Sequence, residues 1–324
     1  MTRRANFWRE QPRPLFVLAP MVGVTDAAFR RMFAQYGKPA AMWTEFVSVD
    51  GLCSRGRDSL LGELQFTDAE RPMVAQLYGA DPANFKEAAR FVAGLGFDAI
   101  DINMGCPARD VEKHGAGSAL IRDPALARRV VEAAKEGAGG LPVSVKTRIG
   151  YRVNEIETWL PQLMAAGPEA VIFHARTRNE MSKVPARWKV VARAVELARE
   201  IEPDAPRRPL ILGNGDVKSL AEAQARVAET GCDGVMIGRG SFGNPWFFNR
   251  AVNRDDLPRE TVLDVMLEHT ALFLELFGET KRFEVMKKHY KAYVGGFEGA
   301  PQTRARLMAA RDYAEVAEIV RGIG

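Results

Sequence analysis

The chain has 324 residues, of which 47% are hydrophobic and 27% charged, so it can build a large core and is not a disordered or low-complexity chain. Its three cysteines, Cys53, Cys106 and Cys232, lie far apart with no CxxC pair, which excludes a disulfide framework and a thiolate metal or iron–sulfur centre. The formal net charge of +4 suits a polyanionic partner without requiring one.

The leading segment, MTRRANFWREQPRP, has no apolar stretch behind its arginines and does not read as a signal peptide. Apolar runs such as LFVLAPMVGV and ALFLELF are too short to span a bilayer. The expectation is a soluble, cytoplasmic protein with reduced thiols and no membrane partner.

From there, short β-rich runs alternate with segments of helical period. Strands are predicted at 15–19, 41–45, 73–78, 98–103, 142–147, 170–174, 209–213 and 234–238. Several are apolar on both faces, as a parallel sheet covered by helices requires. Helices are predicted at 25–36, 82–95, 123–136, 154–167, 185–200 and 218–230. Asp81-Pro82 and Asp123-Pro124 each place a capping carboxylate before a first-turn proline. Gly94, Gly96, Gly167 and Gly231 stand where helices give way to strands. The fold class is therefore α/β, a closed (β/α)₈ TIM barrel. A doubly wound sheet would need GxGxxG after the first strand, where the chain reads APMVGVTD.

After residue 255 the β runs stop. Helices are predicted at 260–278, 281–294 and 301–320, which divides the chain into a barrel domain, 1–255, and a small all-helical C-terminal domain, 256–324. Lys287, Lys288 and Lys291 share one helix face. That face is either simply solvated or placed to meet phosphates.

In such a barrel the C-terminal strand ends converge on one mouth. The first strand ends in Pro20 and Met21, a flat apolar wall. The third carries Gln76, and the fourth ends in Asn103 with Cys106 just beyond. The fifth ends near Lys146, and the sixth in His174 with Arg176 and Arg178 after it. The last two give GNGD (213–216) and IGRG (237–240), whose exposed amides and Arg239 make a phosphate seat. Lys146 in an apolar run fits a Schiff-base lysine or a cation beside an electron-rich cofactor. His174 fits a donor to the same cofactor or a satisfied core histidine. Cys106, in a loop between glycine and proline, fits a nucleophile or a proton donor, and spacing does not choose. Only four histidines are present, and no cluster reads as a metal site.

The motifs APMVGVTDAAFR (19–30), AQLYG (75–79), DINMGCPARDVEKHGAGSALIRDP (101–124), VSVKTRIG (143–150), HARTR (174–178), LGNGDV (212–217), IGRGSFGNPWFF (237–248) and KKHYKAY (287–293) run through the whole chain. In them the sequence resembles the tRNA-dihydrouridine synthases, in their bacterial B-type branch. NMGCP followed by GAGSAL is the most specific element.

The resemblance implies an FMN- and NADPH-dependent reduction of uridines in tRNA. Reduced FMN would give hydride to C6 and Cys106 would give the proton to C5. Pro20, Met21 and Val22 would line the flavin, with Gln76, Lys146 and His174 on its ring. Asn214, Gly215, Asp216, Gly238 and Arg239 would hold its ribityl chain and phosphate. Asn103 would bind the uracil edge and Arg178 the tRNA. The helical domain would grip the tRNA, and the D-loop is the expected target. A monomer is expected. The chain departs from the family pattern at Ala175, at RNEMSKV after HARTR, and at Ser241-Phe242. A barrel flavoenzyme acting on a small molecule is the alternative enzyme. A tRNA-binding protein without catalysis is the alternative from another class.

Overall fold

The computed structural model describes residues 6–323; residues 1–5, part of the leading segment and of the 1–255 reading, and residue 324 lie outside the described residues. Nine strands form one parallel sheet: β1 (Leu15–Leu18), β2 (Met42–Trp43), β3 (Val47–Ser48), β4 (Met73–Tyr78), β5 (Ala99–Met104), β6 (Val143–Arg148), β7 (Ala170–His174), β8 (Leu210–Asn214) and β9 (Gly234–Ile237). β1 pairs with β9 on one side, Leu18 opposite Ile237, and with β2 on the other, Leu18 opposite Met42. β2 in turn pairs with β4, so the sheet closes into a barrel.

β2 and β3 both pair with β4 and are two pieces of one stave, giving eight staves in all. The sequence predicts a single strand at 41–45. It breaks because Thr44 inserts its hydroxyl into the ladder, where Oγ1 accepts the Gln76 N–H at 3.1 Å. Residues Val47 and Ser48 then resume pairing opposite Leu77 and Tyr78.

Alternation along each strand sends one set of side chains inward and the other against the helices. Leu15, Val17, Trp43, Val74, Ile172, Leu212 and Met236 fill the barrel interior. Trp8, from a short helix Phe7–Glu10, joins this core and meets Trp43 edge-on with ring centroids 5.8 Å apart. Phe16 and Leu18 face the outer core with the helices.

Helix starts follow the capping chemistry. Asp81 accepts the Ala83 N–H at 2.8 Å, Asp123 that of Leu126 at 3.0 Å, and Asp26 that of Phe29 at 3.0 Å. The predicted helix at 301–320 is two, Ala300–Ala309 and Tyr313–Arg321, because Ala310 turns extended and Asp312 caps a new start on Glu315. The one predicted at 281–294 is a 3₁₀ turn, Phe283–Met286, leading into a short helix, Lys287–Tyr293.

The last helices share a core with the barrel helix Ala27–Tyr36. Ala27, Ala28, Met32 and Trp246 pack with Val262, Met266, Phe273, Tyr290 and Leu307. Asn249 Nδ2 donates to the Tyr36 carbonyl at 3.0 Å, and the Tyr36 hydroxyl donates to Glu268. At the mouth end of this seam Lys281 pairs with Glu45 at 3.4 Å and Glu63 at 3.0 Å. Among the described residues no helix is long and apolar enough to cross a membrane.

Candidate active site

Because all staves are parallel, their C-terminal ends open on one mouth. It holds two adjoining cavities. The larger, about 620 Å³, lies over β6 to β9 and β1 and is bounded by Met21, Lys146, His174, Asn214, Gly215 and Gly238 among others. The smaller, about 150 Å³, lies over β4 to β7 and is bounded by Gln76, Asn103, Cys106 and Arg148. Pro20, Lys146 and His174 line both.

Glycines let the loops that line the larger cavity pack closely. At Gly240 a Cβ would stand 2.0 Å from the Val217 carbonyl oxygen. At Gly215, whose φ is +131°, it would meet Ala186 Cβ at 2.8 Å and the His174 ring at 3.3 Å. Asn214 is fixed at both ends of its amide: Nδ2 donates to the Met236 carbonyl at 2.8 Å and Oδ1 accepts from Lys146 Nζ at 3.4 Å. Asp216 holds the loop together. It accepts the Ala186 N–H at 2.8 Å, pairs with Arg176, and lies 3.5 Å from Arg239. Burial pushes its carboxyl up, but these hydrogen bonds outweigh burial and hold it below the usual range. Arg239 keeps 63% of its side chain exposed, available to an anion at the cavity rim.

Lys146 and His174 stand where the two cavities meet. Burial, with Arg148 adding to it, lowers Lys146 to about 8, against the pull of Asp101 and Cys106. Burial and the cations Lys146, Arg148, Arg176 and Arg239 hold the His174 imidazole neutral. Its Nε2 lies 3.1 Å from Arg176 Nη1. Arginine only donates, so Nε2 accepts and the ring proton sits on Nδ1.

The smaller cavity is built from side-chain hydrogen bonds. Register places Gln76 beside Asp101, Asp101 beside Ser144, and Asn103 beside Lys146. Ser144 Oγ donates to Asp101 Oδ1 at 2.6 Å, and Gln76 Nε2 to Asp101 Oδ2 at 2.7 Å. Asn103 Nδ2 donates to Gln76 Oε1 at 3.2 Å. Asn103 Oδ1 then accepts the N–H of Gly105 at 3.1 Å and of Cys106 at 2.9 Å. Both acceptor sites of Asn103 are thereby used and one N–H remains. Burial raises Asp101 to about 6, opposed by the bonds from Gln76 and Ser144.

The Cys106 carbonyl accepts Ser118 N at 3.0 Å, and Ser118 Oγ lies 2.8 Å from it. Gly117 permits this approach, since a Cβ there would lie 2.7 Å from the same oxygen. Burial pushes the Cys106 thiol up, although the Ala108 N–H, Arg148 and Lys146 pull the other way. A thiol held protonated at neutral pH is a proton donor. Among the described residues no carboxylate or imidazole makes a hydrogen bond to its sulfur, as an activated nucleophile would need. Cys53 and Cys232 are also free thiols, and Cys232 is buried.

The mouth thus gathers Pro20, Met21, Gln76, Asn103, Cys106, Lys146, His174, Asn214, Gly215, Asp216, Gly238 and Arg239. Two sequence candidates lie apart from both cavities. Val22 is 58% exposed beside the mouth. Arg178 is locked to Glu112, with Nε 3.0 Å from both carboxylate oxygens, and lies over the Tyr151 ring.

Three further residues shape the site without being singled out by the sequence pattern. Asp101 is the interior-facing residue two before Asn103, and a carboxylate in an apolar strand was its signal. Arg148 repeats the Lys146 parity; it donates to the Gly105 carbonyl at 2.8 Å and to those of Thr177 and Met181, both at 3.1 Å. Ser118 has no local signal, because its partner is twelve residues away. Among the described residues no group of three or more His, Cys, Asp or Glu is placed to hold a metal ion.

Fold and site together define a barrel whose two-lobed mouth pairs a glycine-shaped cavity with a protonated thiol. The same fold occurs in an old yellow enzyme homologue from Zymomonas mobilis, at TM-score 0.50 and 14% identity over 72% of this chain and 86% of that one. It also occurs in histamine dehydrogenase from Rhizobium sp. 4-9, at TM-score 0.55 and 16% identity over 82% of this chain and 51% of that one. At such identities the likeness is one of fold alone.

The sequence goes further. Residues 17–322 match the family model described as dihydrouridine synthase (Dus). A Bacillus subtilis (strain 168) protein described as "Probable tRNA-dihydrouridine synthase 2" is 41% identical over 314 residues, 96% of this chain and 94% of that protein. A Staphylococcus aureus (strain MRSA252) protein described as "Probable tRNA-dihydrouridine synthase" is 40% identical over 319 residues, again 96% and 94%. The chain belongs to the dihydrouridine synthase family and is an oxidoreductase.

Proposed function

We propose that the protein reduces the C5=C6 bond of particular uridines in tRNA, with FMN bound in the larger cavity and NADPH as reductant. The observation that carries this reading is Cys106, a thiol kept protonated in a small polar cavity that opens onto the larger one.

The residues present fit FMN. The cavity is the right order of size for a cofactor. Gly215, Gly238 and Gly240 line it, and a Cβ at any of them would press on a neighbouring loop or on Met21. Arg239 and the loop amides of Gly215 and Gly238 would take the phosphate, with Asn214 on the ribityl chain. Asp216 serves from behind, by holding Arg176 and the loop. Pro20, Met21, Gln76, Lys146 and His174 would border the ring, and the Lys146 ammonium would favour negative charge there. When bound, FMN supplies hydride for C6 of the uracil.

The chain's own residues do the rest. Cys106 delivers its proton to C5, where negative charge develops toward C5 and O4. Asn103 has one N–H left, so it meets a carbonyl of the base rather than its N3–H. The Asp101–Gln76–Asn103 chain fixes that polarity. Loops around the mouth draw the uridine out of the tRNA fold. The lysines Lys287, Lys288 and Lys291 meet its backbone, and Arg178 joins them by exchanging its Glu112 partner for a phosphate. The helices of 256–324 act as the tRNA-gripping domain and 1–255 as the catalytic one. The D-loop is the proposed target, and the enzyme works in the cytoplasm as a monomer.

The test uses tRNA from cells lacking all such synthases, incubated with the purified protein, FMN and NADPH. Nucleoside mass spectrometry is expected to show uridine gaining two hydrogens. No gain while flavin stays bound would transfer the assignment to a small-molecule flavoenzyme.

A further inference from the structure

Three of the exposed large hydrophobic side chains stand on loops that follow strand ends at the mouth: Val22 after β1, Val153 after β6 and Met181 after β7. Val153 is 64% exposed and Met181 38%. They are not scattered. The β6 and β7 loops are tied into one platform, with Arg178 N donating to the Gly150 carbonyl and Asn179 N to the Tyr151 carbonyl, both at 3.0 Å. Met181 holds a left-handed backbone, φ +56°, which a side-chain-bearing residue adopts only when its surroundings impose it. Arg148 imposes it here, by gripping the Met181 carbonyl and, through Nε, the Gly105 carbonyl next to Cys106. Val22 belongs to the opposite side. In the closed sheet order β1-β9-β8-β7-β6, its strand is four places from β6 around eight staves.

Each apolar side chain has a cation near it, along the chain or from the helical domain. Exposed Arg152 adjoins Val153 and exposed Lys183 follows Met181, and among the described residues neither forms an ion pair. Across the mouth, the Lys288 ammonium lies 3.1 Å from where a Gly23 Cβ would be, next to Val22, in the field of the Asp26 and Glu45 carboxylates. Apolar wedges flanked by exposed cations fit a nucleic acid, whose base faces are apolar and whose backbone is anionic. A small neutral substrate would need neither.

We infer that Met181 and Val153 on one side of the mouth, and Val22 on the other, are wedges that take the bases flanking the target uridine and hold the stack open while that uridine enters. This inference rests on the tRNA reading. It adds a surface that acts on the neighbours of the reacting base and touches neither flavin nor uracil. The wedges replace the stacking lost when the uridine leaves, so removing them slows extrusion, not chemistry.

The experiment first maps the reduced position with the wild-type protein, then places 2-aminopurine next to it. Fluorescence reports unstacking on binding. Met181→Ala with Val153→Ala, and Val22→Ala separately, are compared with Ile201→Ala, a control at the far end of the helix Trp188–Ile201. The expected result is a lost fluorescence rise and uridine reduction slowed about tenfold. Reduction of the bound flavin by NADPH without tRNA should be unchanged, which shows an intact site. Full unstacking and normal reduction in the wedge variants would overturn the inference and leave the tRNA reading standing. Equal loss in flavin reduction would make the residues structural and overturn it too. A flavin-loaded wild type that reduces no uridine would remove the tRNA reading and this inference with it.

Discussion

The two halves of the mouth reach their shapes by opposite means. Over β8 and β9 the wall is made by what is absent: Gly215, Gly238 and Gly240 let neighbouring groups pack close where a Cβ would collide, and Arg239 borders the cavity. Over β4 and β5 the wall is made by what is present: Ser144, Asp101, Gln76 and Asn103 hydrogen-bond in series up to the Cys106 amide. A seat for a flexible phosphorylated chain needs room and donors. A site that fixes one base and one proton needs side chains whose polarity is already decided. Lys146 and His174 sit at the border and serve both.

The sharpest way to break this contrast is Cys106→Ala. It should slow uridine reduction by about 10²–10⁴-fold, the range for a lost general acid, with flavin content unchanged. A matching loss of flavin, read by absorbance after gel filtration, would mean that the halves are not separable.

Gly215→Ala tests the other half. A residue with a Cβ at φ +131° is strained and meets Ala186 at 2.8 Å. Melting temperature should fall by roughly 3–8 °C, given about 1–3 kcal/mol of backbone strain. Flavin should be retained about tenfold less tightly, while Cys106 alkylation by iodoacetamide stays at the wild-type rate.

At the border, Lys146 sits at about 8 in the folded protein against a usual 10.5. Between those values the unfolded chain binds more protons than the folded one. Flavin-free protein should therefore gain stability as pH rises from about 8 toward 10.5, and the penalty should be full below 8. Urea unfolding across that range reads the gain, and Lys146→Met should abolish it.

The smallest effect is expected at Ser118→Ala, which removes a hydroxyl whose single proton is shared between the Cys106 carbonyl and Glu112 Oε1 but leaves the Ser118 N–H bond in place. One hydrogen bond of about 0.5–1.5 kcal/mol corresponds to a two- to tenfold lower rate. The deficit should appear in kcat for uridine and not in flavin reduction by NADPH.

Period and punctuation made most of the barrel legible. Apolar runs of strand length, Asp-Pro starts and glycine stops are local signals, and they located seven staves whole. The eighth, at 41–45, differs from the pattern because its break comes from Thr44 meeting Gln76, a partner thirty-two residues away. The 301–320 segment splits for a lesser reason: the stop at Ala310 and the new cap at Asp312 lie too close together for period to separate.

The sequence alone was enough for the residue types at the strand ends, because a strand end is marked by its own neighbours. Cys106, Asn103, Lys146, His174 and the two glycine turns could be named from local pattern and family resemblance. Only the tertiary structure decided their states. It made Cys106 a protonated thiol by burying it, put the His174 proton on Nδ1 through Arg176, and left Asn103 with a single free N–H. It also turned Arg178 onto Glu112 and Arg148 onto the loop carrying Cys106. Protonation and hydrogen-bond polarity depend on burial and on partners from other staves, and those neighbours exist only once the sheet has closed.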